Sequence, residues 1–222
     1  MLFRSNVVAA LVGFGTFGSF GFLPQLLQTP TSTGYGFGAS ITESGRVLIP
    51  ASIVSFVMGF VTPRLMRRFG ARHVICAGAV SNIIAFTLIA LFHHEKWQLA
   101  IWMLFQGMGS GLISSSMVAV VLASVPPQQS GVASGMNVNI RVIGGSLGSA
   151  MMAGVITAHL GADGLPVEAA YTAGFLALAA GTVLAVVAAL LIPRLPARVE
   201  RARIAVAEAS DDPDVDLVRA QG

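Results

Sequence analysis

Apolar residues in this chain come in long runs separated by short polar interruptions, and the runs set the elements. A membrane-crossing helix needs about 20 mostly apolar residues, because roughly 30 Å of hydrocarbon is crossed at about 1.5 Å per residue. Six stretches fit: approximately Val7 to Leu27, residues 43 to 62 with an apolar centre from Val47 to Val61, Val74 to Phe92, Trp97 to Val125, Gly131 to Ala158 and Tyr171 to Ile192. The second is the weakest run, and Pro50 suits a first helical turn there. The first follows Arg4 in the manner of a signal peptide. It is too long for an h-region, and no small-x-small cleavage pattern ends it, so it reads as a retained span. The fold class predicted is an all-α membrane protein, a six-helix transmembrane bundle over 1–194. A largely disordered tail over 195–222 is rich in Asp and Glu.

Composition agrees with the runs. Of 222 residues, 55% are hydrophobic and 10% charged, against about 25% charged in soluble domains. The mean hydropathy is +0.78. So much apolar surface exceeds what one water-soluble globule hides. One cysteine, Cys76, excludes a disulfide framework. Scattered histidines (His73, His93, His94, His159) show no metal-ligand spacing, and no cofactor motif is present.

Charge then orients the spans. On the side of the termini lie Arg4, the loop arginines Arg64, Arg67, Arg68 and Arg72, and the tail arginines Arg194, Arg198, Arg201, Arg203 and Arg219; opposite are Arg46 and Lys96. The positive-inside rule places both termini in the cytoplasm of a plasma or inner membrane. These are juxtamembrane anchors, not a basic stripe interleaved with aromatics, so nucleic acid is not a partner.

The spans differ in character. The third and sixth are dominated by Ala, Val, Leu and Ile and read as lipid-facing. The first, fourth and fifth carry small residues that let helices approach closely, among them Gly107, Gly111, Gly144, Gly145 and Gly148. Gly13-Phe-Gly15-Thr-Phe-Gly18 spells a dinucleotide fingerprint but sits within a hydrophobic span with no strand before it, so helix packing accounts for it. Met108-Gly109-Ser110-Gly111 comes near the serine motif of six-span rhomboid proteases. A base at His159 would lie near the opposite end from Ser110's depth, so a serine protease is the minor alternative.

Arg141 is the one basic residue inside a span, about 15 Å from the start of its helix. A charge facing lipid there costs at least ~2.5 kcal/mol. Ser134, Asn137, Arg141, Gly145 and Gly148 share a helix face, which turns the arginine toward protein or water; the alternative is snorkelling to the headgroups. No acidic residue lies deep in any span, Glu43 being near the outer surface, so a carboxylate partner for Arg141 must come from another chain or a substrate.

Three stretches carry a resemblance. Phe22-Leu-Pro-Gln-Leu-Leu-Gln28 with Gly34-Tyr-Gly36 and Gly45-Arg-Val-Leu-Ile-Pro50, then Gly59 through Arg72, then Gly131 through Gly148 are similar, in order and spacing, to the C-terminal half of major facilitator drug:proton antiporters of the fourteen-span type. The loop resembles the family's basic motif at Arg68, Gly70 and Arg72, but Arg67 stands where the motif has an aspartate.

The resemblance implies one six-helix half of a transporter that exports small organic molecules or drugs by proton antiport. The family's proton-titrating carboxylates lie in the other half, so this bundle is incomplete for coupling by itself. Partners are the bilayer, a small organic substrate, protons, and a second six-span half or a second copy of the chain. Gln25, Gln106, Asn137 and Arg141 are the candidate cavity or interface groups, and Met103 and Met108 adaptable apolar contacts. Arg68 and Arg72 form a cytoplasmic lock or topology anchors. A transporter piece without activity of its own is the remaining alternative.

Overall fold

The computed structural model describes residues 2–123, 125–161 and 164–190. The acidic tail expected after residue 194 lies outside them. The described chain is all helical: α1 (Leu2–Phe20), α2 (Phe22–Gln28), α3 (Ile41–Phe69), α4 (Ala71–Leu91), α5 (Lys96–Leu122), α6 (Ser130–Ala158) and α7 (Glu168–Leu190), with short 3-10 turns at Thr31–Thr33 and Pro127–Gln129. Six of these segments are long and apolar enough to cross a membrane, α1 and α2 together making the first. The fold is a six-span membrane bundle.

The first span bends at Gly21, and Pro24 sits in the first turn of α2, where its missing N–H costs no helical bond. The α2–α3 connection turns through Gly34 and Gly38, both with positive φ. Helix α3 begins earlier than the apolar run suggests. Ser40 and Glu43 form a reciprocal capping box, the serine hydroxyl accepting from the Glu43 N–H at 3.2 Å and the carboxylate accepting from the Ser40 N–H at 3.1 Å. Pro50 therefore lies in the helix interior rather than its first turn, as does Pro63. Such prolines persist in membrane helices because neighbouring groups re-satisfy the backbone they free. At 29 residues, α3 is about 44 Å long, so its basic end projects beyond the hydrocarbon.

Packing follows a two-fold pattern. Helix α1 packs along α6 and α3 along α5; α4 packs on α5 and α7 on α1; α4 and α7 meet each other. Exchanging α1 with α5, α3 with α6 and α4 with α7 reproduces the same set of neighbours, the mark of two related three-helix units. Each long seam is closed by glycines four apart. A methyl group at Gly144 or Gly148 would overlap the carbonyl oxygen of Ala10 or Phe14, and one at Gly107 would overlap that of Ala51; at Gly111 it would stand 2.7 Å from that of Ser55.

The third and sixth spans, expected at the periphery, each leave about half of their length uncovered and expose a row of large apolar side chains, Val80, Ile84 and Leu91 on α4 and Leu176, Val183, Leu184 and Val187 on α7. About half of α4 and of α7 is buried within the bundle, while α3 is almost wholly uncovered and α6 largely so. Apolar side chains suit a protein neighbour as well as a lipid one, so composition does not separate the two environments. Two apolar clusters fill the interior. One, toward the loops at 92–95 and 159–167, contains Leu26, Phe86, Met103, Met152, Tyr171 and Phe175. The other, toward the α3–α4 turn, contains Val8, Val12, Ile75, Ile113 and Met117.

Candidate functional site

Two groups of buried polar side chains link helices of the bundle at the predicted positions. In the first, Gln106 of α5 is 3% exposed and donates from Nε2 to the Ser19 hydroxyl of α1 at 2.6 Å; that hydroxyl in turn donates to the Thr16 carbonyl at 2.9 Å. This chain of bonds ties the two central helices together across an apolar interior. Ser81 of α4 adds a bond to the Phe105 carbonyl at 2.7 Å.

The second group is built around Arg141. Gly13 of α1 lies against the Arg141 backbone, so α6 approaches α1 closely and its next face turns toward α5. The guanidinium crosses that gap, and Nη1 donates to the Ser114 hydroxyl at 2.9 Å. It is directed at a protein neighbour and is half-buried. One turn before it, Asn137 is 4% exposed. The Nδ2 of Asn137 and the Nε of Arg141 are both buried without a hydrogen-bond partner among the described residues. Buried donors are rarely left so, and each unmade bond costs about 1–3 kcal/mol. The site is therefore a cluster of donors that lacks an acceptor.

The other candidates are dispersed. Gln106 and Ser114 mark levels on α5 about 12 Å apart, eight residues at the helical rise, so Gln106 and Arg141 do not share one site. Gln25 is exposed on α2, lining a cavity of about 390 Å³ with Gln28, Thr29, Pro166 and Tyr171 at the loop end. Met103 is fully enclosed in the apolar core, and Met108 is partly exposed. At the opposite end Gly70, with φ of 80°, joins α3 to α4, a conformation that favours glycine. Arg68 stacks over the Phe69 ring at 5.4 Å, and Arg72 is partly exposed in the first turn of α4. Gly107, Gly111, Gly144 and Gly148 close the seams already described, and Gly145 takes the Phe17 side chain against its backbone.

Sequence reasoning placed Arg141 but not its contact. Ser114 is one of three consecutive serines, 114 to 116, and only the rotation of α5 shows which one faces α6. Ser19 as partner of Gln106 was likewise open among several small polar residues. Among the described residues no group of three His, Cys, Asp or Glu side chains is placed to hold a metal ion. His159 is exposed, its Nδ1 2.9 Å from the Val155 carbonyl.

Comparison with known proteins supplies the family. The sequence model of the Major Facilitator Superfamily matches residues 6–212. The multidrug efflux pump LfrA of Mycolicibacterium smegmatis is 29% identical over 161 residues, covering 71% of this chain and 31% of that protein. The multidrug transporter protein MdtP of Bacillus subtilis is 24% identical over 158 residues, 70% of this chain and 28% of that protein. The chain thus spans about a third of the length of these relatives.

Among solved structures, the inward-open xylose transporter XylE of E. coli superposes with a TM-score of 0.69 at 17% identity, over 88% of this chain and 48% of that one. The nucleoside transporter NupG gives 0.60 at 18%, over 85% and 46%. These two share the fold. The family match and the shared fold together set aside the serine-protease reading of residues 108–111. With six spans, glycine-closed seams and a family match over most of its length, the chain belongs to the Major Facilitator Superfamily.

Proposed function

We propose that this bundle forms one half of an efflux transporter for small organic molecules, working against a second six-span bundle and coupled to protons. The observation that carries the reading is the acceptor-poor cluster at Arg141. Two buried donors, Arg141 Nε and Asn137 Nδ2, lack partners among the described residues, and the carboxylates of the spanning helices, Glu43 and Glu168, are engaged elsewhere, with Ser40 and Lys96 and with His93. A second bundle, or a substrate held between the two, supplies the acceptor. The uncovered flanks of α3 and α6 support the same arrangement.

Mechanistically, close backbone seams suit a half that moves as one body. With Gly144 and Gly148 against α1, and Gly107 and Gly111 against α3, interior packing leaves little room for internal sliding. Rocking of one bundle against another then exposes a central site to each side in turn. Arginine density at the α3–α4 turn supports a cytoplasmic face at that end, where Arg68 and Arg72 act at the closing edge. The drug class follows from what LfrA and MdtP are named for.

An accumulation assay tests this. The protein is expressed from its full genomic locus in an efflux-deficient strain, and ethidium uptake is followed with and without an uncoupler. Lower accumulation than in vector-only cells, erased by the uncoupler, is the expected result. Equal accumulation in both strains, with the protein present in the membrane, contradicts the proposal.

A further inference from the structure

At the end of the bundle away from the α3–α4 turn, one ion pair joins two elements 75 residues apart. His93 follows the last residues of α4 and is 3% exposed; Glu168 opens α7 with its side chain 46% exposed. The His93 Nδ1 is 2.8 Å from the Ile89 carbonyl oxygen, and its Nε2 is 3.1 Å from Oε1 of Glu168.

Hydrogen-bond accounting fixes the protons. A carbonyl oxygen only accepts, so Nδ1 carries a hydrogen. An ionised carboxylate also only accepts, so a bond to Nε2 needs a second proton. The geometry points to His93 and Glu168 as a proton-binding site that clasps α4 to α7 when loaded and loosens when empty. Without that proton the Nε2 lone pair faces a carboxylate, and a nearly enclosed ring nitrogen has nothing to bond.

The surroundings fit a site reached from water at this end. Glu168 provides the route, being half in solvent. His94 stacks on the His93 ring with centroids 5.7 Å apart. Of the other titratable groups here, Lys96 of α5 is 3.7 Å from Glu43 of α3, Glu95 caps α5, and His159 is bonded to the Val155 carbonyl. Glu168 is thus the carboxylate in contact with His93 among the described residues. The Thr172 hydroxyl donates to the Ala90 carbonyl at 3.2 Å, and the Tyr35 hydroxyl donates to the Pro166 carbonyl. The pair therefore stands where α4, α7 and the 159–167 loop are drawn together, and proton loss there releases the outer end of the bundle.

The clasp does not depend on the transport reading and is tested without it. The full chain, labelled with ¹⁵N-histidine and held in detergent micelles, is compared at about pH 5.5 and about pH 8. His93, assigned with His93→Gln, shows two ring N–H protons at the lower pH and one at the higher. The thermal unfolding midpoint falls by about 2–4 °C between the two. In Glu168→Gln the amide donates to the neutral ring, so the contact survives without the extra proton and that pH-dependent fall disappears. Wild type and Glu168→Gln with the same pH profile, or a single ring proton on His93 at both pH values, overturns the proposal.

Discussion

Replacing Gly144 by alanine tests whether the α1–α6 seam is as tight as the structure has it. An added Cβ would overlap the Ala10 carbonyl oxygen and stand 2.6 Å from its carbon and 2.8 Å from the Ala10 Cα. Comfortable contact between carbons is about 3.5–4.0 Å, so the helices must part by roughly 1 Å. The obstacle is backbone, which cannot turn aside as a side chain does. Overpacking of this kind costs about 1–3 kcal/mol. Alanine returns up to about 1 kcal/mol of helix propensity, leaving a net loss of about 1–2 kcal/mol.

The control is Gly135→Ala on the same helix, where a new Cβ meets nothing within 4 Å. Only the propensity gain remains there. Thermal unfolding of the detergent-solubilised protein reads both, at about 2–4 °C per kcal/mol for a chain of this size. Gly144→Ala should lower the midpoint by about 2–8 °C, and Gly135→Ala should leave it unchanged or raise it. Equal midpoints for the two variants refute the reasoning, since they differ only in what the methyl group meets.

Other consequences follow from single contacts. Ser19→Ala removes the acceptor for Gln106 Nε2, and with interhelical bonds in membranes worth about 0.6–1.7 kcal/mol the midpoint should fall by about 1–6 °C; Gln106→Leu in the same background should restore much of it by removing the orphaned amide. Ser40→Ala breaks the capping box of α3 and should cost about 0.5–2 kcal/mol, read as faster hydrogen exchange confined to the first turns of α3. Gly70→Ala forces a side chain into φ of 80° and ψ of 151°, a region essentially confined to glycine, costing about 1–3 kcal/mol, and should lower the midpoint; Gly70→Asn, whose tolerance is for the left-handed helical region alone, should lower it as much.

Much of the architecture could be read from the chain because a run of about 20 apolar residues suits little besides a membrane crossing. The glycines were legible as a class, but not individually: Gly144 and Gly148 lie against α1, whereas Gly131 and Gly135, on the same helix, face open space. Their neighbours along the chain do not distinguish them, since the difference is the rotation of α6. The start of α3 was missed for another reason. Hydropathy rises only after Val47, while the Ser40–Glu43 capping box is polar and lies outside the apolar run. Spans three and six read as peripheral from their composition, but which of their faces α4 and α7 turn to one another and which they leave uncovered depends on helix rotation.

For the candidate site, the rarity of an arginine inside a span singled out Arg141, whereas its partner Ser114 and the His93–Glu168 contact depend on tertiary placement. A histidine just past one helix and a glutamate opening another are common features. Only the return of the chain to the same end brings these two together.

The central claim, that Arg141 serves transport from within the protein, is tested most directly by ethidium efflux from cells expressing Arg141→Ala and Arg141→Lys at wild-type membrane levels. Loss of efflux in the alanine variant with partial retention in the lysine variant is the result predicted. Wild-type efflux from Arg141→Ala would contradict it, and would leave the half-buried guanidinium as a packing group with no part in moving substrate.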